Sequence, residues 1–184
     1  MKKILLVAAA AAGLVSIAPA FAADGTINFT GTVTAQTCKI NSAASPANIN
    51  LTLPTVSTTA LNAVDATAGN TPFAVTLSDC ATGAGAPTQA RMYFEAGPNI
   101  TTAGTLRNTA ATNPAANVQI RLLNGDESVI DLSKTTTAIA QGSKPATISG
   151  GAATLNYVAQ YIAKGGAAGA GAVASSVTFT MQYQ

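Results

Sequence analysis

The sequence has no histidine and no tryptophan among its 184 residues, only two cysteines, 5% aromatic residues and 9% charged ones. Without histidine, Ser-His-Asp and Cys-His nucleophile pairs and histidine-ligated metal sites are excluded by inventory alone. Carboxylates are scarce as well. The densest group, Asp126, Glu127 and Asp131, surrounds an Asn124-Gly125 turn and lacks the spacing of a calcium loop, so it reads as a solvated hairpin. The stretch Gly165-Gly166-Ala167-Ala168-Gly169-Ala170-Gly171 lacks the Lys-Ser/Thr ending of a phosphate-cradling loop, and no helix pattern follows it. It reads as a flexible surface connection, with Lys164 before it as a strand-end charge. This inventory points away from an enzyme, and no catalytic residue, metal or cofactor is expected.

Charge is short in both signs, with nine Lys and Arg against seven Asp and Glu. Two of the nine, Lys2 and Lys3, open the chain ahead of an apolar run over 4–17, and Ala20-Phe21-Ala22 supplies a small-x-small cleavage site. The run is shorter than the roughly 20 residues a membrane-spanning helix needs. Residues 1–22 therefore read as a secretory signal peptide cleaved after Ala22. What remains is 162 residues with seven basic and seven acidic side chains, a size that suits one domain. No basic cluster stands ready to displace counterions from phosphate, so nucleic-acid binding has no support. A neutral surface of Ala, Thr, Ser, Asn and Gly repels its own copies weakly and tolerates close assembly.

Only one cysteine pair exists, Cys38 and Cys80, in a chain bound for an oxidising compartment. A disulfide is the natural reading, since the spacing fits neither a C-x-x-C redox pair nor a zinc site. What the sequence does have is alternation. Short stretches with apolar residues at every second position recur between turn residues, and the chain reads as all-β. Strands are expected over 27–33, 37–40, 49–53, 73–77, 90–94, 118–123, 129–132, 153–162 and 173–183. The Asn124-Gly125 pair joins two of them as a hairpin. Ala60, Leu61, Ala63 and Val64 offer at most a short helix, because Thr58, Thr59 and Asn62 are indifferent helix formers.

The two outermost strands are the most regular. In the first, Ile27, Phe29, Gly31 and Val33 share one face while Asn28, Thr30, Thr32 and Thr34 share the other. In the last, Val177, Phe179, Met181 and Tyr183 alternate with Thr178, Thr180, Gln182 and Gln184. The two strands could pair inside one self-complete sandwich, as in a secreted binding module. Alternatively, the first is given to another molecule. Gly31 favours donation: a glycine weakens a strand in its own core but lets a neighbour's backbone come close.

At this point the residues resemble a known family, the major pilin subunits of the chaperone-usher pathway, as in type 1 fimbriae. The resemblance is carried by Gly25-Thr26-Ile27-Asn28-Phe29-Thr30-Gly31-Thr32-Val33 leading to Cys38. It continues in Thr71-Pro72-Phe73-Ala74-Val75-Thr76-Leu77-Ser78-Asp79-Cys80, and in Tyr157 to Tyr161 ahead of a final strand with penultimate Tyr183. The resemblance implies an incomplete immunoglobulin-like sandwich, residues 35–184, completed by donor-strand exchange with the extension 23–34 of the next subunit. Ile27, Phe29, Gly31 and Val33 would enter a neighbour's groove, while Val177, Phe179, Met181 and Tyr183 would border the subunit's own. It also implies a periplasmic chaperone and an outer-membrane usher as partners, and a head-to-tail homopolymer forming an extracellular fimbrial rod for bacterial adhesion. A minor fimbrial adaptor is the nearest alternative role. A two-domain tip adhesin would need a receptor-binding domain ahead of this one, for which no residues are expected.

Overall fold

The computed structural model describes residue 28, residues 38–43 and residues 47–184. The expected signal peptide, the expected first strand and the residues Ile27, Phe29, Gly31 and Val33 lie outside the described residues, save for Asn28. The described residues form eight strands: β1 (Lys39–Ile40), β2 (Thr67–Ser78), β3 (Gln89–Phe94), β4 (Leu106–Arg107), β5 (Val118–Asn124), β6 (Ala146–Thr147), β7 (Ala153–Ala163) and β8 (Phe179–Tyr183). They make a five-stranded sheet in the order β1-β2-β7-β5-β4 and a three-stranded sheet in the order β6-β3-β8, with every pairing antiparallel.

The sheets face each other because each strand has one apolar row to bury. Val75 and Leu77 of β2, Leu155, Tyr157 and Ala159 of β7, and Ile120 and Leu122 of β5 meet Ala90, Met92 and Phe94 of β3 in one core. Tyr157 sits at its centre, 2% exposed. Its ring lies 5.5 Å from that of Phe73 and stands edge-on to Phe94 at 6.0 Å and 78°, the offset arrangement aromatic quadrupoles prefer. On the opposite face of the large sheet, Gln160 links three strands when its amide is turned to suit its neighbours. Its oxygen accepts from Arg121 Nη2 and Nε at 2.6 and 2.8 Å, and its nitrogen donates to Asn70 Oδ1 at 2.6 Å.

The cysteines form the Cys38–Cys80 disulfide, both buried, with Cα atoms 4.3 Å apart. It ties the segment before β1 to the end of β2. Between β1 and β2 lies one turn of 3-10 helix, Thr58–Leu61, started by Ser57, whose hydroxyl accepts from Thr59 N at 3.2 Å. Leu61 drops from it into a second, smaller apolar cluster with Ala115, Val118 and Ala163.

Several expectations need correcting. Residues 49–53 are extended but belong to no strand. Residues 129–132 form only a bridge, Val129 to Leu123, beyond the turn in which Glu127 N donates to Asn124 O at 2.9 Å. The final strand begins at Phe179 rather than 173. Upstream of it the backbone is diverted: Thr109 N donates to Ala174 O at 2.7 Å and Ala115 N to Ala172 O at 2.9 Å. The glycine-rich stretch before that is pinned instead of loose, with Ala168 N bound to Leu61 O at 2.8 Å and Gly169 N to Ala116 O at 2.9 Å. At Gly171 any Cβ would fall 2.6 Å from Ala115 N, so the close approach requires glycine. In β2 the ladder starts six residues earlier than the apolar pattern does, and it shifts register between Ala68 and Thr71.

Candidate strand-acceptor groove

One long groove, about 760 Å³ in volume, opens into the core. Its first wall is the extended segment 47–53, which turns Ala47, Ile49, Leu51 and Leu53 toward the core and leaves Asn48, Asn50 and Thr52 exposed. The second wall is residues 175–183, where Val177, Phe179, Met181 and Tyr183 pack against the core while Thr178 and Thr180 are exposed. The floor is Phe73, Met92, Phe94, Leu106, Ile120, Leu122 and Ala159. The groove is thus apolar along its base and flanked by two extended backbones.

Those backbones have unmet hydrogen-bonding capacity. Among the described residues, nothing in 47–56 takes part in a backbone–backbone hydrogen bond. For β8 the register shows which groups point where. Gln89 and Gln184 exchange N–H···O bonds at 2.9 Å each, and Glu95 N donates to Thr178 O at 2.9 Å. In an antiparallel ladder such pairs alternate with pairs that face outward. Gln184, Gln182, Thr180 and Thr178 therefore bond to β3, whereas the N–H and C=O groups of Phe179, Met181 and Tyr183 face the groove. No described backbone group pairs with them. The same three residues present apolar side chains to the core and an unpaired edge to the groove.

One end of the groove is tied across. Cys38 N donates to the Tyr183 hydroxyl at 3.3 Å, so the last strand is fastened to the disulfide. Burial pushes the Tyr183 phenol up from its ordinary range, partly countered by that bond. Toward the other end sits Ser175, whose buried Oγ has no partner among the described residues.

The acidic residues singled out in the sequence serve turns. Asp126 accepts from Ser128 and pairs with Lys144, which holds its carboxyl down to about 2. Asp131 accepts from the Ser133 hydroxyl at 2.6 Å and Ser133 N at 3.0 Å, which lowers its carboxyl as well. Among the described residues no three His, Cys, Asp or Glu side chains gather as a metal site, and no helix is long and apolar enough to cross a membrane. Sequence reasoning missed Asn108 and Gln141. Asn108 Nδ2 donates to Ala115 O and Ala172 O at 3.1 and 2.8 Å, and its Oδ1 accepts from Ala110 N and Ala174 N at 3.0 Å each. No local pattern marks such a hub, because the bonds that join it to the approach to β8 reach Ala172 and Ala174, 64 and 66 residues away.

Two facing sheets whose last strand keeps an unpaired edge beside an apolar groove make up an immunoglobulin-like sandwich of the class seen in chaperone-usher pilus structures. The chain belongs to the type-1 fimbrial protein family, whose model matches residues 53–184. It is 39% identical over 165 residues to a major fimbrial subunit of Stenotrophomonas maltophilia, with 88% of this chain and 94% of that one covered. A solved chaperone-usher pilus structure shares the fold at a TM-score of 0.59 and 21% identity, over 88% of this chain and 96% of the other. The CupB6 tip adhesin of Pseudomonas aeruginosa is similar at a TM-score of 0.57 and 22% identity. There the match covers 80% of this chain but only 38% of the adhesin. The protein is a structural fimbrial subunit, an extracellular pilus component that passes through the periplasm.

Proposed function

We propose that segment 23–34 of one copy fills the groove between residues 47–53 and β8 of the next, and that repetition of this step builds the fimbrial shaft. The observation that carries this reading is the unpaired β8 edge of Phe179, Met181 and Tyr183 above an apolar floor. An added strand would supply the missing ladder while its alternate side chains, Ile27, Phe29 and Val33, enter the groove. Burying those three contributes on the order of 5 to 9 kcal/mol before ordering costs, and each backbone bond adds roughly 0.5 to 1.5 kcal/mol. Gly31 suits the step where the donated backbone passes closest to the floor. The contact is head-to-tail, so it propagates rather than closes.

Before assembly the same edge and floor need cover, which a periplasmic chaperone supplies by lending a strand until an outer-membrane usher exchanges it. Residues 1–22 act as the export signal and 35–184 as the folded subunit. Deleting residues 25–34 tests the reading: fibres are lost while the chaperone complex still forms. A bulky residue in place of Gly31 has the same effect. Fibres of normal length from either variant would refute it.

A further inference from the structure

The three-stranded sheet has a second flank that could take a strand. β6 pairs with β3 only at Gln89 and Ala90, so from Arg91 to Phe94 that side of β3 has no strand beside it among the described residues. The backbone groups of Met92 and Phe94 face this flank, since the intervening residues bond to β8. A bare edge of this kind is a template for strand addition.

Gln141 occupies it. Phe94 N donates to Gln141 Oε1 at 2.9 Å, and Gln141 Nε2 donates to Phe94 O at 2.6 Å. The side-chain carboxamide thus makes the two bonds that a residue of a neighbouring strand would make, and then goes no further. Gln141 is 1% exposed. Its own backbone is fixed, with its N donating to Thr137 O at 3.1 Å and its O accepting from Asp131 N at 2.8 Å. The turn that carries it is fastened on either side, by Tyr93 Oη to Thr135 O and Arg91 Nη1 to Ser143 O, each 2.7 Å.

We propose that Gln141 is a strand-mimicking stopper that decides which edge of the three-stranded sheet accepts a donated strand: it blocks the Phe94 end of β3's second flank and leaves β8 as that sheet's acceptor. This assignment rests on the donor-strand reading above. A subunit with two acceptor edges would branch, whereas a shaft requires one.

The test uses fibres assembled by the full chain with its export partners, and a gold-labelled peptide of the sequence of residues 25–34 added after assembly. On the unsubstituted protein every groove but the terminal one is filled, so label is expected only at one fibre tip. Gln141→Leu fills the same space but bonds nothing, and label is expected along the whole shaft, with branched fibres. Where Gln141→Leu does not accumulate, Gln141→Glu keeps the shape and the acceptor for Phe94 N while losing the donor to Phe94 O, with the same labelling expected. Variant fibres labelled only at a tip would overturn the stopper assignment while leaving the groove reading intact. Failure of the unsubstituted fibres to take any label at a tip would overturn both.

Discussion

The register of β8 makes a sharp prediction about proline at two adjacent positions. Met181 N–H points into the groove and Gln182 N–H points into the β3 ladder. Proline removes the N–H and is tolerated in a strand only where that group faces an open edge. Met181→Pro therefore leaves the sandwich intact beyond the loss of the half-buried methionine side chain. Met181→Ala suffers that loss equally, about 1 to 2.5 kcal/mol if it is taken as half the cost at a fully buried site. Compared with Met181→Ala, the proline variant lacks one bond to an incoming strand. At roughly 0.5 to 1.5 kcal/mol this weakens strand capture about 2- to 13-fold, and the ring adds steric obstruction on the same edge. Gln182→Pro instead breaks a ladder bond to Arg91 and destabilises the subunit itself. Thermal melting of each subunit, paired with the protein concentration needed for fibre formation, separates the two effects. If Met181→Pro melted as far below Met181→Ala as Gln182→Pro melts below Gln182→Ala, or assembled as readily as Met181→Ala, the groove-facing assignment would be refuted.

Asn108→Ala strips four hydrogen bonds from the segment leading into β8. With two of the four exposed, a loss of about 1 to 3 kcal/mol is expected. Amide exchange should rise over residues 172–178 while β7 stays protected, and unchanged exchange there would count against the hub. Reducing the Cys38–Cys80 bond, 42 residues apart in sequence, frees the unfolded chain by about 4 kcal/mol on the chain-entropy account. The reduced subunit should melt well below the oxidised one, and equal melting would reject that role. Burial raises the phenols of Tyr157, Tyr161 and Tyr183. Their unfolded counterparts titrate near about 10, so this stabilisation is whole below that pH and is lost as pH rises through the folded values. Phenolate absorbance should therefore rise together with alkaline unfolding. Full ionisation of all three in a still-folded subunit would contradict the burial.

The strands most legible in the sequence were those with one strictly apolar row, such as 90–94, 118–123 and 153–162, because alternation records which face is covered. It does not record pairing. Residues 49–53 alternate as cleanly as any strand and are half-buried as alternation requires, yet no described strand lies beside them. Alternation thus marked a groove wall as faithfully as a sheet member. The opposite failure is the start of β2, where Thr67 to Asn70 are small or polar and are held by their partner Ala163-side residues of β7, not by a buried row. The short strands Leu106–Arg107 and Ala146–Thr147 are too brief to show any period. Gln141 escaped because its bonds reach backbone 47 residues away, and Asn108 because the two bonds that tie it to the approach to β8 span 64 and 66 residues, which leaves no local trace. The Gly165 to Gly171 stretch misled for a related reason, since its small residues fit a crowded surface as well as a mobile one.

Tension along a shaft would meet β8 in a particular way. Hydrogen bonds in an antiparallel ladder run across the strands, so a pull parallel to β8 loads the rungs to β3 simultaneously, in shear, and none can peel away alone. From β8 the load passes through Tyr183 to Cys38 and thence, by the disulfide, to β2 in the other sheet. The covalent bond stiffens only the second half of that path, so the yielding link inside the subunit is the 3.3 Å contact between the Tyr183 hydroxyl and Cys38 N.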